Sequence, residues 1–278
     1  MEPMETMATM EPKEEPMRTI AVVNQKGGSG KSTLAVNVSA ALAERGATVT
    51  LIDLDPQCSA TRWLGYEPLS EDGLSRVLSG DSALQVLAVD TEESRLSLVP
   101  GDDWLEISER RDFDGAAVPQ LAVERALTNT SLGSGLAMID TPGRLSLLTI
   151  AALAAADEVL VPVPASAMEL EHVHELQDTV AEVRAINPGL ADPRLALWSL
   201  DARTVLAQDV WQRLIEAYPD QLLEPTVRKS VRAAEAFAHR QPLTRFAPDH
   251  PITNDVRSLA EAIEQGVTHV NAATRAAN

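Results

Sequence analysis

A chain of 278 residues, 45% apolar and 23% charged, has the balance of a globular protein large enough to bury a substantial core. Its net charge of −18 excludes a protein coated in basic surface but leaves room for a local basic patch. The single cysteine, Cys58, excludes an intramolecular disulfide and a cysteine-based zinc cluster and points to the reducing cytoplasm. No apolar run reaches the roughly 18 residues of a membrane span.

Residues 1–16 carry five glutamates against one lysine, with three prolines, and no basic stretch leading into an apolar one. They are expected to form a disordered acidic, Met-rich tail, not a secretory signal, with Met17 as an alternative start. Residues 17–278 are expected to form a single domain.

TIAVVN (19–24) is a predicted strand, and the pattern from Ser32 to Arg45 is a helix that ends before Gly46. Further strands are predicted at 48–55, 96–101, 135–143, 158–165 and 194–200. Helical patterns cover 115–130, 145–156, 169–186, 204–217, 230–239 and 252–266. Strands that are apolar on both faces and alternate with helices predict a three-layer, doubly wound, mostly parallel α/β sheet with helices on both faces. Right-handed crossovers then put every parallel strand's C-terminus on one edge, where ligands bind.

The first strand runs directly into NQKGGSGKST (24–33) and then into a helix. Gly27, Gly28 and Gly30 let backbone N–H groups turn inward around phosphate oxygens, and the helix directs its positive end at the same anion. Lys31 reaches the β and γ phosphates, the Ser32 hydroxyl takes a magnesium site and Thr33 bonds the α phosphate. The common P-loop pattern needs glycine at position 25; this chain has Gln25 followed by Lys26, a variant form. The candidate nucleotide-binding run is therefore Lys26, Gly27, Gly28, Ser29, Gly30, Lys31, Ser32 and Thr33.

Farther along, LIDLDPQCSAT (51–61) ends a strand on Asp53 and Asp55, whose spacing of two sends both side chains to one side. MIDTPG (138–143) ends another on Asp140. Acidic oxygens beside Ser32 suit magnesium, which takes oxygen ligands directly or through water. Together with AALAAADEVLVPV, DART and SVRAAEA, these segments in this order resemble the ParA/MinD family of deviant Walker ATPases, and within it the short, Soj-like DNA-partitioning proteins. The resemblance runs from Met17 to about Gln265.

That resemblance implies ATP and Mg2+ as cofactors and an ATP-bound homodimer. Lys26 takes the place of the lysine that crosses the dimer interface to the partner's phosphates. Asp53 is a magnesium-shell or loop-supporting carboxylate, Asp55 positions the attacking water and Asp140 is the Walker B aspartate near magnesium. Lys26, Lys31 and Asp55 are thus the candidate catalytic residues, and Ser32, Asp53 and Asp140 the candidate metal set. Thr141-Pro142-Gly143 resembles the γ-phosphate switch, with glycine where a second proline is more common, which predicts a looser switch. Cys58 stands where glycine is common and reads as a small packing residue; Arg203 in DART belongs to a motif near the nucleotide.

Residues 226–246 hold Arg228, Lys229, Arg232, Arg240 and Arg245 against one acid, Glu235, or about +4 in a chain totalling −18. The resemblance makes this the DNA-gripping segment of the dimer, through sequence-independent phosphate contacts to double-stranded DNA. Read from residues alone, the same window is also a solvated helix with ordinary ion pairs. The function implied is chromosome or plasmid partition by a nucleoid-associated ATPase whose hydrolysis a ParB-like centromere-binding partner stimulates. The short N-terminal segment argues against a separate operator-binding domain. A protein cargo positioned on the nucleoid is the alternative. A MinD-like membrane role fits poorly, because EQGVTHVNAATRAAN (264–278) has few large apolar groups.

Overall fold

The computed structural model describes residues 17–266 except 70–72, 81–83, 90–94, 112, 114–115, 131, 133–134, 165–168, 200 and 202–203. The acidic tail, the segment after Gly266 and Arg203 therefore lie outside the described residues. Strands β1 (Arg18–Val22), β2 (Val49–Asp53), β3 (Leu87–Ala88), β4 (Leu96–Val99), β5 (Leu136–Asp140), β6 (Glu158–Pro164) and β7 (Arg194–Trp198) form one sheet. Its order is β3-β4-β2-β5-β1-β6-β7. Every pairing is parallel except that of β3 with β4. β1 lies between β5 and β6, so the chain leaves it toward one side and later fills the other. A ligand crevice opens at such a reversal, beside the strand C-termini.

Alternation along the central strands feeds two cores. Ile20, Val22, Val49, Leu51, Leu136 and Met138 face one side of the sheet, and Ala21, Val23, Ile52, Ala137 and Ile139 face the other. The first side is covered by α1 (Lys31–Glu44), α2 (Ser59–Trp63), α9 (Arg232–Ala238), α10 (Leu243–Phe246) and α11 (Pro251–Gln265). The second is covered by α3 (Leu74–Ser79), α4 (Leu105–Arg110), α5 (Ala122–Thr128), α6 (Leu147–Ala155), α7 (Glu169–Val183) and α8 (Val205–Ala217). This is the predicted three-layer arrangement.

Differences from the predicted elements lie mostly in short pieces. The patterns 115–130 and 230–239 shrink to a 3-10 turn at Pro119–Leu121 followed by α5, and to α9. The strand expected over 135–143 stops at Asp140, because Thr141, Pro142 and Gly143 turn out of the sheet. Helices α2, α3, α4 and α10 have four to six residues each, too few for a helical period to stand out.

The helix that follows the glycine loop is held with little freedom. Ten of its residues are buried, because it packs on the sheet below and on α11 above. Asn37 is fully buried within it: its amide donates to the Thr33 carbonyl at 2.7 Å and accepts from the Leu243 N–H at 2.7 Å. Asn37 thus ties the first turn of α1 to α10. Asn37→Ala leaves the buried Leu243 N–H unmatched and is expected to cost about 2 kcal/mol in urea unfolding. A loss under about 0.5 kcal/mol would show that water or a shift of α10 replaces the amide.

Candidate phosphate-binding site

Three strand ends build the floor of the site. In the parallel register Asp140 is the partner of both Val22 and Asp53, so β1, β5 and β2 finish level. The loop after β1 is pinned at its base by Asn24, whose amide donates to the Pro162 carbonyl at 2.8 Å while its oxygen accepts the Lys26 N–H at 2.8 Å. Gly30 closes the loop with φ of 93°, a left-handed conformation that favours glycine. Space demands glycine there as well, since a Cβ would lie 2.6 Å from the Trp198 ring at the end of β7. No side chain caps α1, so its first-turn N–H groups face the crevice for an anion.

A cavity of about 670 Å³ opens above this floor. It is lined by Gly27, Gly28, Gly30, Lys31, Ser32 and Thr33 from the loop, and by Asp55, Gly143, Arg144, Trp63 and Phe237 from elsewhere. Lys26 and Ser29 belong to the same loop but do not line the cavity: Ser29 is buried and Lys26 is half-buried. The Lys31 ammonium is folded back over the loop, 3.3 Å from the Lys26 carbonyl and 3.5 Å from the Ser29 hydroxyl. Burial lowers its pKa, and the Asp140 and Asp55 carboxylates oppose that shift. An anion entering the loop relieves the same desolvation by giving the ammonium a charged partner.

The three carboxylates differ in how far the protein satisfies them. Asp53 accepts the Thr61 N–H and hydroxyl, both at 2.7 Å, and the Asp55 N–H at 3.3 Å. The Thr61 hydroxyl in turn accepts the Gly101 N–H at 2.9 Å. Asp53 therefore fastens the start of α2 to the strand ends. Asp140 is fully buried, and among the described residues neither of its oxygens has a partner in good hydrogen-bond geometry, the Ser32 hydroxyl being near. Burial raises its pKa well above the ordinary carboxylate range, with repulsion from Asp53 adding to the effect and the nearby Ser32 hydroxyl opposing it. Asp55 is raised by burial too, but lines the open cavity, where Lys31 and Arg144 draw it back down.

An unpartnered buried carboxylate is costly, and Asp140 beneath Ser32, whose residue lines the cavity, offers what a hydrated divalent cation needs: anionic and hydroxyl oxygens close together. The residues present fit Mg2+. Thr141 above them donates its hydroxyl to the Val22 carbonyl at 2.7 Å, and Gly143 passes so close to the loop that a Cβ would lie 3.3 Å from the Gly27 Cα and 3.4 Å from the Lys31 Nζ. Glycine at 143 thus lets the segment after β5 rest directly on the phosphate loop. Cys58 is buried with φ of 51°, and burial raises its thiol pKa. It is a packing residue in geometry.

Of the basic window, all five cationic side chains are exposed. Arg228 is committed to Asp255 of α11 through bonds of 2.6 and 2.8 Å, with its N–H bonding the same carboxylate at 3.1 Å. Arg240 pairs with Glu67 at 3.1 Å and Arg232 with Glu235 at 2.7 Å. The Arg232 and Arg240 pairs are surface pairs that each contribute about 0–1 kcal/mol and yield readily to another anion. The window is not separate from the cavity, because Phe237 of α9 lines it and packs edge-on against Trp63 of α2, ring centroids 5.2 Å apart.

Trp63 and Phe237 stand far apart in sequence and carry no motif. Arg144 directly follows the Thr-Pro-Gly segment, and its place there was the one available signal for a further cation at the site.

A glycine loop pinned between a strand and a helix, with carboxylates level on the neighbouring strand ends, defines a P-loop nucleotide-binding protein of the parallel α/β class. The family described as an AAA domain matches residues 17–191. The chromosome-partitioning ATPase Soj of Thermus thermophilus is 36% identical over 250 residues, covering 89% of this chain and 95% of Soj. The chromosome partitioning protein ParA of Caulobacter vibrioides is 32% identical, with 83% of this chain and 88% of ParA covered. A crystal structure described as cobyrinic acid a,c-diamide synthase from Mycobacterium smegmatis, with bound ADP and magnesium, superposes with a TM-score of 0.75 at 28% identity, over 90% of this chain and 95% of that one. The chain belongs to the Soj/ParA family of partitioning ATPases.

Thr61→Val keeps the shape of the side chain but removes one bond to Asp53 and strands the Gly101 N–H. It is expected to cost about 2 kcal/mol of stability in denaturant unfolding, and no measurable loss would mean that Asp53 does not depend on Thr61.

Proposed function

We propose that this protein is an ATP- and Mg2+-dependent partition ATPase whose nucleotide-bound dimer holds DNA without sequence preference and releases it on hydrolysis. The observation that carries the reading is a cavity lined by the phosphate loop and Asp55, built directly over the strand ends where the carboxylates of β2 and β5 stand level. The loop N–H groups and Lys31 bind the phosphate chain. Ser32 and Asp140 hold Mg2+, which when bound screens the phosphate charge. Asp55, on the cavity wall, orients the water for in-line attack on the γ phosphate. Asp53, its oxygens taken by Thr61 and Asp55, acts as the loop support and keeps Asp55 in place.

Lys26 serves the partner subunit. It lies outside the cavity lining of its own chain although it sits in the phosphate loop, which supports a role across a dimer interface. A flexible ammonium from a second copy neutralises charge that develops during phosphoryl transfer. DNA phosphates are met by the basic window, with Lys229 and Arg232 leading and Arg228 held back by Asp255. A ParB-like partner stimulates turnover, and the ATPase works at the nucleoid. Among the described residues no helix is long and apolar enough to cross a membrane.

Lys31→Ala is expected to abolish ATP binding, whereas Asp55→Ala retains ATP and accumulates as a dimer in sedimentation with ATP and Mg2+. A monomeric Asp55→Ala protein loaded with ATP would refute the scheme. Arg232→Glu is expected to weaken ATP-dependent retention on arbitrary duplex DNA and to reduce the salt slope by roughly one for each DNA phosphate that is no longer neutralised. Unchanged retention and slope would place the DNA surface elsewhere.

A further inference from the structure

The segment after β5 brings a second cation to the lining of the phosphate cavity, beside Lys31. Arg144 lines that cavity together with Lys31 and Asp55. Its position is set by α4: Arg144 Nη2 donates to Glu109 Oε2 at 2.6 Å. Glu109 is itself fixed, since its other oxygen accepts the Leu148 N–H at 2.9 Å and so caps the start of α6. The exposures of the two side chains differ sharply, 8% for Glu109 and 54% for Arg144. One member of the pair is therefore a buried anchor, and the other reaches into solvent from it. The Arg144 carbonyl accepts the Thr149 hydroxyl at 2.8 Å, which holds the residue's backbone to α6 as well.

A guanidinium has five N–H donors in a planar fork, and Glu109 takes only one of them. No further hydrogen bond of the guanidinium forms among the described residues, and the residue lines the cavity, so donors are left over for an anion there. A lysine at this place would offer one compact charge; arginine offers a second edge that matches phosphate oxygens while the first stays anchored. The neighbouring residue Gly143 rests on Gly27 and the Lys31 ammonium, so Arg144 stands at the end of the cavity shared by Lys31 and Asp55. If Asp55 orients the attacking water, that end is where the terminal phosphate lies.

We propose that Arg144, positioned by Glu109, is a cis-acting arginine for the γ phosphate that lets this protein distinguish the triphosphate from the diphosphate. The inference rests on the reading of the loop as an ATP site. Glu109 is a positioning residue: it orients the guanidinium and joins it to the start of α6, so engagement of the terminal phosphate is mechanically linked to the helix that follows the switch segment.

The test is titration calorimetry of the full chain with a non-hydrolysable ATP analogue and, separately, with ADP, both with Mg2+. Arg144→Ala is expected to weaken the analogue roughly tenfold while leaving ADP within about twofold of the unmutated chain. Arg144→Lys is expected to recover only part of that loss. Glu109→Gln keeps an acceptor for the Leu148 N–H but removes the charge. It should lower the analogue-to-ADP preference in the same direction, and the double variant should lose nothing more than Arg144→Ala alone. Retained ADP affinity serves as the control for folding. Equal weakening of both nucleotides by Arg144→Ala, or no change in either, overturns the proposal. A preference unchanged in Glu109→Gln, or losses that simply add in the double variant, overturns the positioning role. If the unmutated chain binds neither nucleotide, the ATP-site reading itself fails, an outcome distinct from any loss confined to the variants.

Discussion

The structure depends on the parallel register that makes β1, β5 and β2 end at the same level. That register places the buried carboxylate of Asp140 next to Asp53 and directly beneath the glycine loop, an arrangement that costs energy in an apolar interior. The two carboxylates meet that cost differently. Asp53 is satisfied internally by Thr61 and the Asp55 N–H, and becomes a fixed strut. Asp140 has no hydrogen-bond partner among the described residues. Carboxylates of similar burial thus differ in the hydrogen bonds each receives.

The same economy runs through the cations. Lys31 is buried, folded onto its own loop and lowered in pKa by desolvation, so an anion relieves it. Arg144 is held at one edge by a buried acid and open at the other. Around the cavity the protein has arranged groups whose charges are incompletely balanced in isolation. A phosphate chain is the kind of ligand that would complete that balance, and Gly143, Glu109 and the start of α6 join the cavity to the second helical layer. On the other face, Asp53 leads through Thr61 into α2, and Trp63 packs there against Phe237 of α9. The basic segment therefore stands one helix away from the carboxylate strut. This adjacency joins the cavity to the basic segment through packed elements.

Acidic residues dominate the chain, yet the basic window presents its five cationic side chains at the surface. Arg232 with Glu235 and Arg240 with Glu67 are pairs that a polyanion readily displaces. Arg228 is different. Its guanidinium and its backbone both bind Asp255, which is largely buried, so this arginine fastens the loop to α11. Charge counted along a sequence treats these residues alike, whereas the partners that each one finds divide them into surface and scaffold.

The amino-acid sequence by itself determined the features that local covalent geometry encodes. The glycine loop between β1 and α1, the alternation that makes both faces of the sheet apolar, and the placing of Asp53 and Asp140 at strand ends all follow from spacing within one element. The short helices α2, α3, α4 and α10 were not legible, because a single turn has no period to read. What only the tertiary structure decided is which distant residues meet. Nothing in the spacing brings Glu109 to Arg144, Phe237 to Trp63, or Asp255 to Arg228, nor leaves Asp140 bare while Asp53 is bonded. Those outcomes depend on strand order, on the register of three parallel strands and on how helices from different parts of the chain pack over them. Such choices are made by burial and hydrogen-bond satisfaction across the whole fold, which no local window contains.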